Sequence, residues 1–115
     1  MNYPRLVIKK MLYAIELSIA SIHLALNDSP TPPTTAELME SLSDLTAAKA
    51  SLVEHRNLID AQAVTFPPPD PTLLQAIATL TQEVQAAAID GVAAQLRMAA
   101  GLKALVFAQA IMSMR

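Results

Sequence analysis

The C-terminal part of the chain carries a hydrophobic pattern with the spacing of a long helix. From Leu73 onwards, apolar or small residues recur in alternating steps of four and three. Asp70 suits the N-cap and Pro71 the first helical position, and no later proline interrupts the pattern. The pattern therefore predicts one helix over residues 71–114 with a continuous heptad seam. The seam consists of Leu73, Ile77, Leu80, Val84, Ala87, Gly91, Ala94, Met98, Gly101, Leu105, Ala108 and Met112.

The second half of this seam is built largely from small residues. Both glycines of the chain, Gly91 and Gly101, lie on it together with Ala94 and Ala108. Small side chains let two helix backbones approach closely, which offsets the cost of about 1 kcal/mol that glycine imposes on a helix. We therefore expect close packing against another helix. Further apolar residues lie beside the seam, which indicates burial on several sides. They are Ile89, Val92, Leu96, Leu102, Val106 and Ile111.

The N-terminal part of the chain predicts a first helix over residues 4–27. Its polar side is a narrow line formed by Lys9, Glu16 and His23, which follow one another at heptad spacing. Two apolar stripes flank this line, and two stripes indicate burial on two sides. The stripes are Ile8, Leu12, Ile15, Ile19, Ile22 and Leu26, and Leu6, Tyr13, Leu17, Ala20 and Leu24.

The middle of the chain predicts a helix over residues 35–64 with a single apolar face. Thr34 and Glu37 have the spacing of a capping box at its start. Every proline except Pro4 lies in one of two short segments, residues 29–33 and 65–71. Because proline interrupts a helix interior, these segments predict two stiff connections between three helices.

Together these elements predict an all-α fold, a three-helix antiparallel bundle that forms one domain over residues 1–115. The helices differ in length, at roughly 35, 45 and 66 Å. A continuous third helix therefore leaves an apolar end to be covered by another chain. The alternative is a four-helix bundle with a break at Asp90-Gly91, a pair typical of turns. The unbroken heptad phase and the neighbouring alanines favour the continuous helix, with Gly91 inside it.

Composition narrows the classes of function. Hydrophobic residues make up 53% of the 115 residues and charged residues only 16%, a balance too apolar for disorder. A net charge of −2 offers no basic face to nucleic acid. The lack of cysteine excludes disulfides and thiol chemistry. The uncharged apolar stretch at residues 104–114 is far shorter than the ~18 residues of a membrane span, and we expect a cytoplasmic protein.

Few residues offer chemistry. His23 and His55 are the only histidines, and neither belongs to a Glu-x-x-His or His-Glu-x-x-His motif. We expect no catalytic residue, no cofactor and no resident metal, with a two-histidine metal site or small cofactor bundle as an alternative. Met98, Met112 and Met114 are compatible either with an adaptable binding groove or with core filling.

The pattern as a whole predicts a non-catalytic helical protein–protein interaction module, such as an assembly or secretion chaperone, an adaptor or an inhibitor. The module would form a homodimer or bind a helical partner protein through the C-terminal helix. The alternative is a reversible amphipathic coat on an apolar lipid or granule surface, which usually requires more Lys and Arg beside the apolar face. The predicted interface residues are Gly91, Ala94, Leu96, Met98, Gly101, Leu102, Leu105, Val106, Ala108 and Met112.

Overall fold

The computed structural model describes residues 2–114. Over this range the chain forms four α-helices and no β-strand. The predicted all-α helical bundle is therefore confirmed. None of the helices in this range combines the length and the apolar character that crossing a membrane requires. The helices are α1 (Tyr3–Asn27), α2 (Pro32–Asp60), α3 (Pro71–Ala87) and α4 (Ala94–Met112).

Side-chain caps mark the starts of α1 and α3. The Asn2 side chain accepts a hydrogen bond from the backbone N–H of Arg5 at 2.9 Å. The Asp70 side chain accepts one from the backbone N–H of Thr72 at 2.9 Å, and Pro71 occupies the first turn. These bonds satisfy N–H groups that have no partner inside the helix. The predicted start of the third helix is confirmed.

The predicted bounds of the second helix are wrong at both ends. α2 begins at Pro32, before the predicted capping box at Thr34, and ends at Asp60. Thr31 is the N-cap, and its side chain makes no capping hydrogen bond. Proline loses no intrahelical hydrogen bond in the first turn, because the N–H groups there have no helical acceptor. The two prolines therefore begin the helix instead of belonging to the connection.

The predicted continuous helix over residues 71–114 is wrong, and the structure has the alternative four-helix form. The chain leaves the helix after Ala87, and Gly91 has a φ of +88°, outside the right-handed helical region. A continuous helix would be about 66 Å long, whereas the longest dimension of the molecule is 46 Å. Folding back instead buries Ala104 and Ile111 in the core. Tertiary burial thus overrides the helix propensity of the neighbouring alanines.

Ion pairs between helices show how the chain runs. Arg5 of α1 pairs with Asp60 of α2 at 3.1 Å, and Lys103 of α4 pairs with Glu83 of α3 at 2.6 Å. The first pair joins the start of α1 to the end of α2, so these helices are antiparallel. Helices α3 and α4 are also antiparallel, because the short connection at 88–93 joins them and the second pair holds them side by side. Helices α1 and α4 each contact the other three helices, whereas α2 and α3 make no contact within the described residues. The cross-section is a rhombus with α1 and α4 on its short diagonal.

The core follows this diagonal. The core residues on α1 form a single stripe. Of the first predicted stripe, Ile8, Ile15 and Ile22 are buried and the other three residues are half-buried. The second predicted stripe reaches the surface, because Tyr13 and Leu24 are exposed. The buried residues of α1 are Val7, Ile8, Met11, Ala14, Ile15, Ser18, Ser21, Ile22 and Ala25.

Candidate functional site: the outer face of the fourth helix

The side of α4 that faces the core differs from the predicted seam. Gly101 and Ala108 of the seam are buried, whereas Met98, Leu105 and Met112 are only half-buried. At 100° per residue, the buried side is rotated by roughly 60° from the seam, because the connection at 88–93 resets the helical phase. The buried residues of α4 are Arg97, Gly101, Ala104, Ala108 and Ile111.

Gly101 lies where α4 comes close to α1 and α2. A Cβ atom at Gly101 would lie 3.3 Å from Leu45 Cδ1 and 3.5 Å from Ser18 Oγ. The close packing predicted for the small residues of the seam therefore occurs here, against helices of the same chain. Gly101 and Ala108 lie inside the bundle and contribute nothing to its surface.

The opposite side of α4 exposes apolar side chains. Leu102 is 61% exposed, and Val106, one turn further on, is 54% exposed. Ala99 and Ala110 continue the same line and are also exposed. We call these four residues the outer face, and the exposed Leu96 lies beside it. This surface is the apolar side of the helix that the bundle leaves uncovered.

Exposed large hydrophobic residues are concentrated in this part of the molecule. Ile89 in the α3–α4 connection is 62% exposed and Leu96 is 60% exposed, alongside the two large residues of the outer face. The next most exposed large hydrophobic side chains described are Met39 at 53% and Tyr13 at 51%, on two other helices. Scattered residues of that kind are normal, whereas a contiguous group is typical of an interaction surface.

The outer face carries no charge. The basic residues of α4 are Arg97, which is buried, and Lys103, whose Nζ donates to Glu83 Oε2 at 2.6 Å. Gln95 and Gln109, which are exposed near the outer face, are polar and neutral. The four residues of the outer face are therefore uncharged, and the cation at its edge, Lys103, is paired with Glu83.

Arg97 fixes the orientation of α4. Its side chain is 2% exposed, and no carboxylate within residues 2–114 pairs with it. Nε donates to Val92 O at 3.2 Å, Nη2 to Ile89 O at 3.0 Å, and Nη1 to Ser21 Oγ at 3.0 Å. A buried charge is costly unless it is hydrogen-bonded, and these acceptors supply the bonds. Arg97 thereby ties the α3–α4 connection to α1.

The sequence interpretation assigned no role to Arg97, one of the few polar residues in the C-terminal part of the chain. Arginine is rarely buried without a charged partner, so the residue type alone predicts an exposed side chain. The one available signal was spacing, because Arg97 lies on the same helical side as Gly101 and Ala108. This spacing is informative only when the inward side of α4 is known, and the continuous heptad seam placed that side about 60° away.

The predicted interface residues are divided between the two sides of α4 and the preceding connection. The exposed ones are Gly91, Leu96, Leu102 and Val106; the half-buried ones are Ala94, Met98, Leu105 and Met112; the buried ones are Gly101 and Ala108. The structure thus brings Leu102 and Val106 together on the surface. It places the two buried residues in the core instead.

The two histidines are far apart. Glu16 on α1 and Lys49 on α2 form an ion pair at 3.5 Å, which sets the register of these antiparallel helices. His23 and His55 follow these residues in opposite directions, so about 20 Å separates them along the bundle axis. The two-histidine metal site is not formed. The described residues also hold no cluster of three or more His, Cys, Asp or Glu suited to a metal ion.

Comparison with known protein families, with curated proteins and with solved structures gives no match to this chain. Likeness therefore assigns neither a family nor an activity.

Proposed function

We propose that this protein is a non-catalytic helical interaction module that pairs with a second copy of itself through the outer face of α4. The observation that supports it most directly is the exposure of Leu102 (61%) and Val106 (54%) on an uncharged side of the helix. Covering the exposed part of each side chain contributes about 1 kcal/mol to association. The proposed pair therefore gains free energy from surface that the monomer leaves in water.

The order of residue sizes favours a second copy as the occupant. Along the outer face the sequence runs small, large, large, small, at Ala99, Leu102, Val106 and Ala110. In a two-fold interface the same patch meets itself, so residue i of one copy contacts residue j of the other and the reverse. Two antiparallel α4 helices place Leu102 of each copy beside Val106 of the other. They also place Ala99 beside Ala110.

The absence of charge on this surface removes an obstacle to self-pairing. Like charges that meet across an interface cost several kcal/mol, and two copies of a charged face would meet in that way. None of the four residues of the outer face is charged, and Lys103 at its edge is already paired with Glu83. A single helix face is smaller than the ~800 Å² per partner of a standard interface, so we expect a weak dimer that depends on concentration.

The reversible coat of an apolar lipid or granule surface has less support. Helices that bind such surfaces usually place several Lys or Arg residues beside the apolar face, where they meet anionic headgroups. On α4 the exposed cation is Lys103, and it pairs with Glu83 at 2.6 Å. The outer face is therefore better suited to binding an apolar protein surface than to binding anionic lipid headgroups.

The mass of the protein in solution tests this proposal. We expect light scattering to show a dimer at high micromolar protein concentration. Replacing Leu102→Glu together with Val106→Glu should yield monomer, because pairing would bury unpaired carboxylates. Circular dichroism would show that the variant keeps its helices.

The matched control places two carboxylates at exposed hydrophobic positions on two other helices. Tyr13→Glu together with Met39→Glu changes side chains that are 51% and 53% exposed on α1 and α2. This variant should keep the mass of the wild type. A wild-type chain that stays monomeric at high micromolar concentration contradicts self-pairing. A dimer that persists in the Leu102 and Val106 variant places the interface elsewhere.

A further inference from the structure

A cavity lies at the end of the bundle opposite the α3–α4 connection. The C-terminal parts of α2 and α4 meet there, and residues 62–65 of the α2–α3 connection form another wall. His55 of α2 lines this cavity together with Met112 and Met114 at the end of α4. We call it the His–Met cavity. It is separate from the outer face and does not depend on self-pairing.

One ring nitrogen of His55 has no hydrogen-bond partner. Nε2 is buried, and no atom of residues 2–114 bonds to it. Buried polar atoms in folded proteins are nearly always satisfied, so an orphaned nitrogen requires an explanation. An imidazole nitrogen with a free lone pair accepts a hydrogen bond or binds a metal ion. The His55 side chain lines the cavity, so a turn of its ring would present this unsatisfied nitrogen to a ligand bound there.

The end of α4 allows two methionines to reach the same cavity. Residues two apart on a helix point to nearly opposite sides, since each step turns by about 100°. Here the helix ends at Met112, Ser113 is its C-cap, and Met114 already lies beyond it. Ser113 Oγ donates to Gln109 O at 2.9 Å and fixes this end. Both flexible thioether side chains therefore line one wall.

These donors fit one class of ion. Thioether sulfur selects soft ions such as Cu(I), and imidazole also binds copper. Among the described residues that line the cavity, none offers a carboxylate or a thiolate. A divalent ion would keep most of its charge uncompensated there, which is costly in a partly buried site. We propose that His55, Met112 and Met114 form a binding site for copper(I).

Silver(I) is the probe for the first test, because it resembles Cu(I) in softness and does not change its oxidation state. The titration uses wild-type protein in chloride-free buffer and follows the methyl signals of methionine by NMR. One equivalent should shift the signals of Met112 and Met114 and the ring signals of His55. Met39 is exposed near the start of α2, and His23 is exposed near the end of α1. The signals of these two residues should not shift. Equal shifts at both sets of residues, or no shift at all, would overturn the proposal.

The second test measures Cu(I) affinity by competition with a chromophoric chelator under reducing conditions. Met112→Leu, Met114→Leu and His55→Gln should each weaken binding by about tenfold or more. Leucine keeps most of the apolar volume of methionine, so thermal melting should show folded variants. The matched controls Met39→Leu and His23→Gln should bind as the wild type does. Equal affinity in all five variants, or stronger binding of Zn(II) than of Cu(I), contradicts a soft-ion site.

Discussion

The two longer connections of the bundle reverse the chain for different physical reasons. Residues 61–70 include three consecutive prolines at 67–69, and proline cannot continue a helix interior. Residues 88–93 contain no proline, and their neighbours are alanines that favour helix. The first break follows from local sequence alone. The second exists because α4 gains burial by folding back onto α1 and α2.

The two connections are also held in different ways. In the first, the ring of Phe66 packs edge-on against Tyr3 with centroids 5.8 Å apart, and the Tyr3 hydroxyl donates to Asp70 O at 3.4 Å. In the second, the buried guanidinium of Arg97 donates to Ile89 O and other acceptors. A surface contact is replaceable, whereas a buried polar network is not. Single substitutions should therefore matter more at the second connection.

The largest effect is expected for Arg97→Leu. This change leaves the carbonyls of Ile89 and Val92 and the Ser21 hydroxyl without their donor, and it should lower the free energy of unfolding by about 3 kcal/mol. Urea denaturation measures the loss. The control Lys103→Leu removes an exposed cation from the same helix and should cost at most about 1 kcal/mol. Equal losses for the two variants would mean that the connection does not depend on the buried guanidinium.

Phe66→Ala should have the second largest effect. The ring is half-buried and contacts both Tyr3 and the core, so its removal should lower the free energy of unfolding by about 2 kcal/mol. Tyr3→Phe is the control, because it keeps the aromatic pair and removes only the long hydrogen bond to Asp70. It should cost well under ~1 kcal/mol. A loss for Phe66→Ala that exceeds the loss for Arg97→Leu would reverse the ranking of the two connections.

The same contrast explains how much of the fold was predictable. The all-α class and the start of α3 follow from residues that act locally, such as Asp70 with its adjoining proline. The prolines also separated the first two helices, although the helix began at Pro32 instead of after it. The heptad pattern favours an unbroken helix at Gly91, and the structure has the break instead. The break depends on the size of the bundle and on contacts between distant residues, which a periodic pattern does not record.

The site was predictable only in part for the same reason. Leu102 and Val106 lie off the heptad seam, and their exposure agrees with an apolar surplus on this helix. The placement of Gly101 against Leu45 and Ser18 depends on the rotation of α4 after the turn. His55 and the C-terminal methionines are distant in sequence, and their shared cavity exists only because α2 and α4 end together.

Gly91→Ala tests directly whether the second connection requires a positive φ. A Cβ at Gly91 would meet no atom within 4 Å, so only the backbone conformation at φ +88° opposes it. The variant should lose about 1 kcal/mol of stability in urea denaturation. Gly91→Asn should lose less, since asparagine tolerates positive φ better than alanine does. A more stable Gly91→Ala protein would indicate that α3 and α4 join into one helix in solution.

The smallest effect is expected at the proline connection itself, for Pro68→Ala. Pro68 is exposed, no hydrogen bond to it is formed, and its neighbouring prolines still exclude helix on both sides. The substitution therefore acts through the unfolded chain, which gains conformational freedom, and should cost about 0.5 kcal/mol. Replacing all three prolines at 67–69 should cost about 1 kcal/mol or more, because each proline restricts the unfolded chain and Pro67 is also half-buried. Urea denaturation of the single and triple variants checks both values. A loss above about 1 kcal/mol for Pro68→Ala alone would mean that this connection, like the other, depends on tertiary contacts.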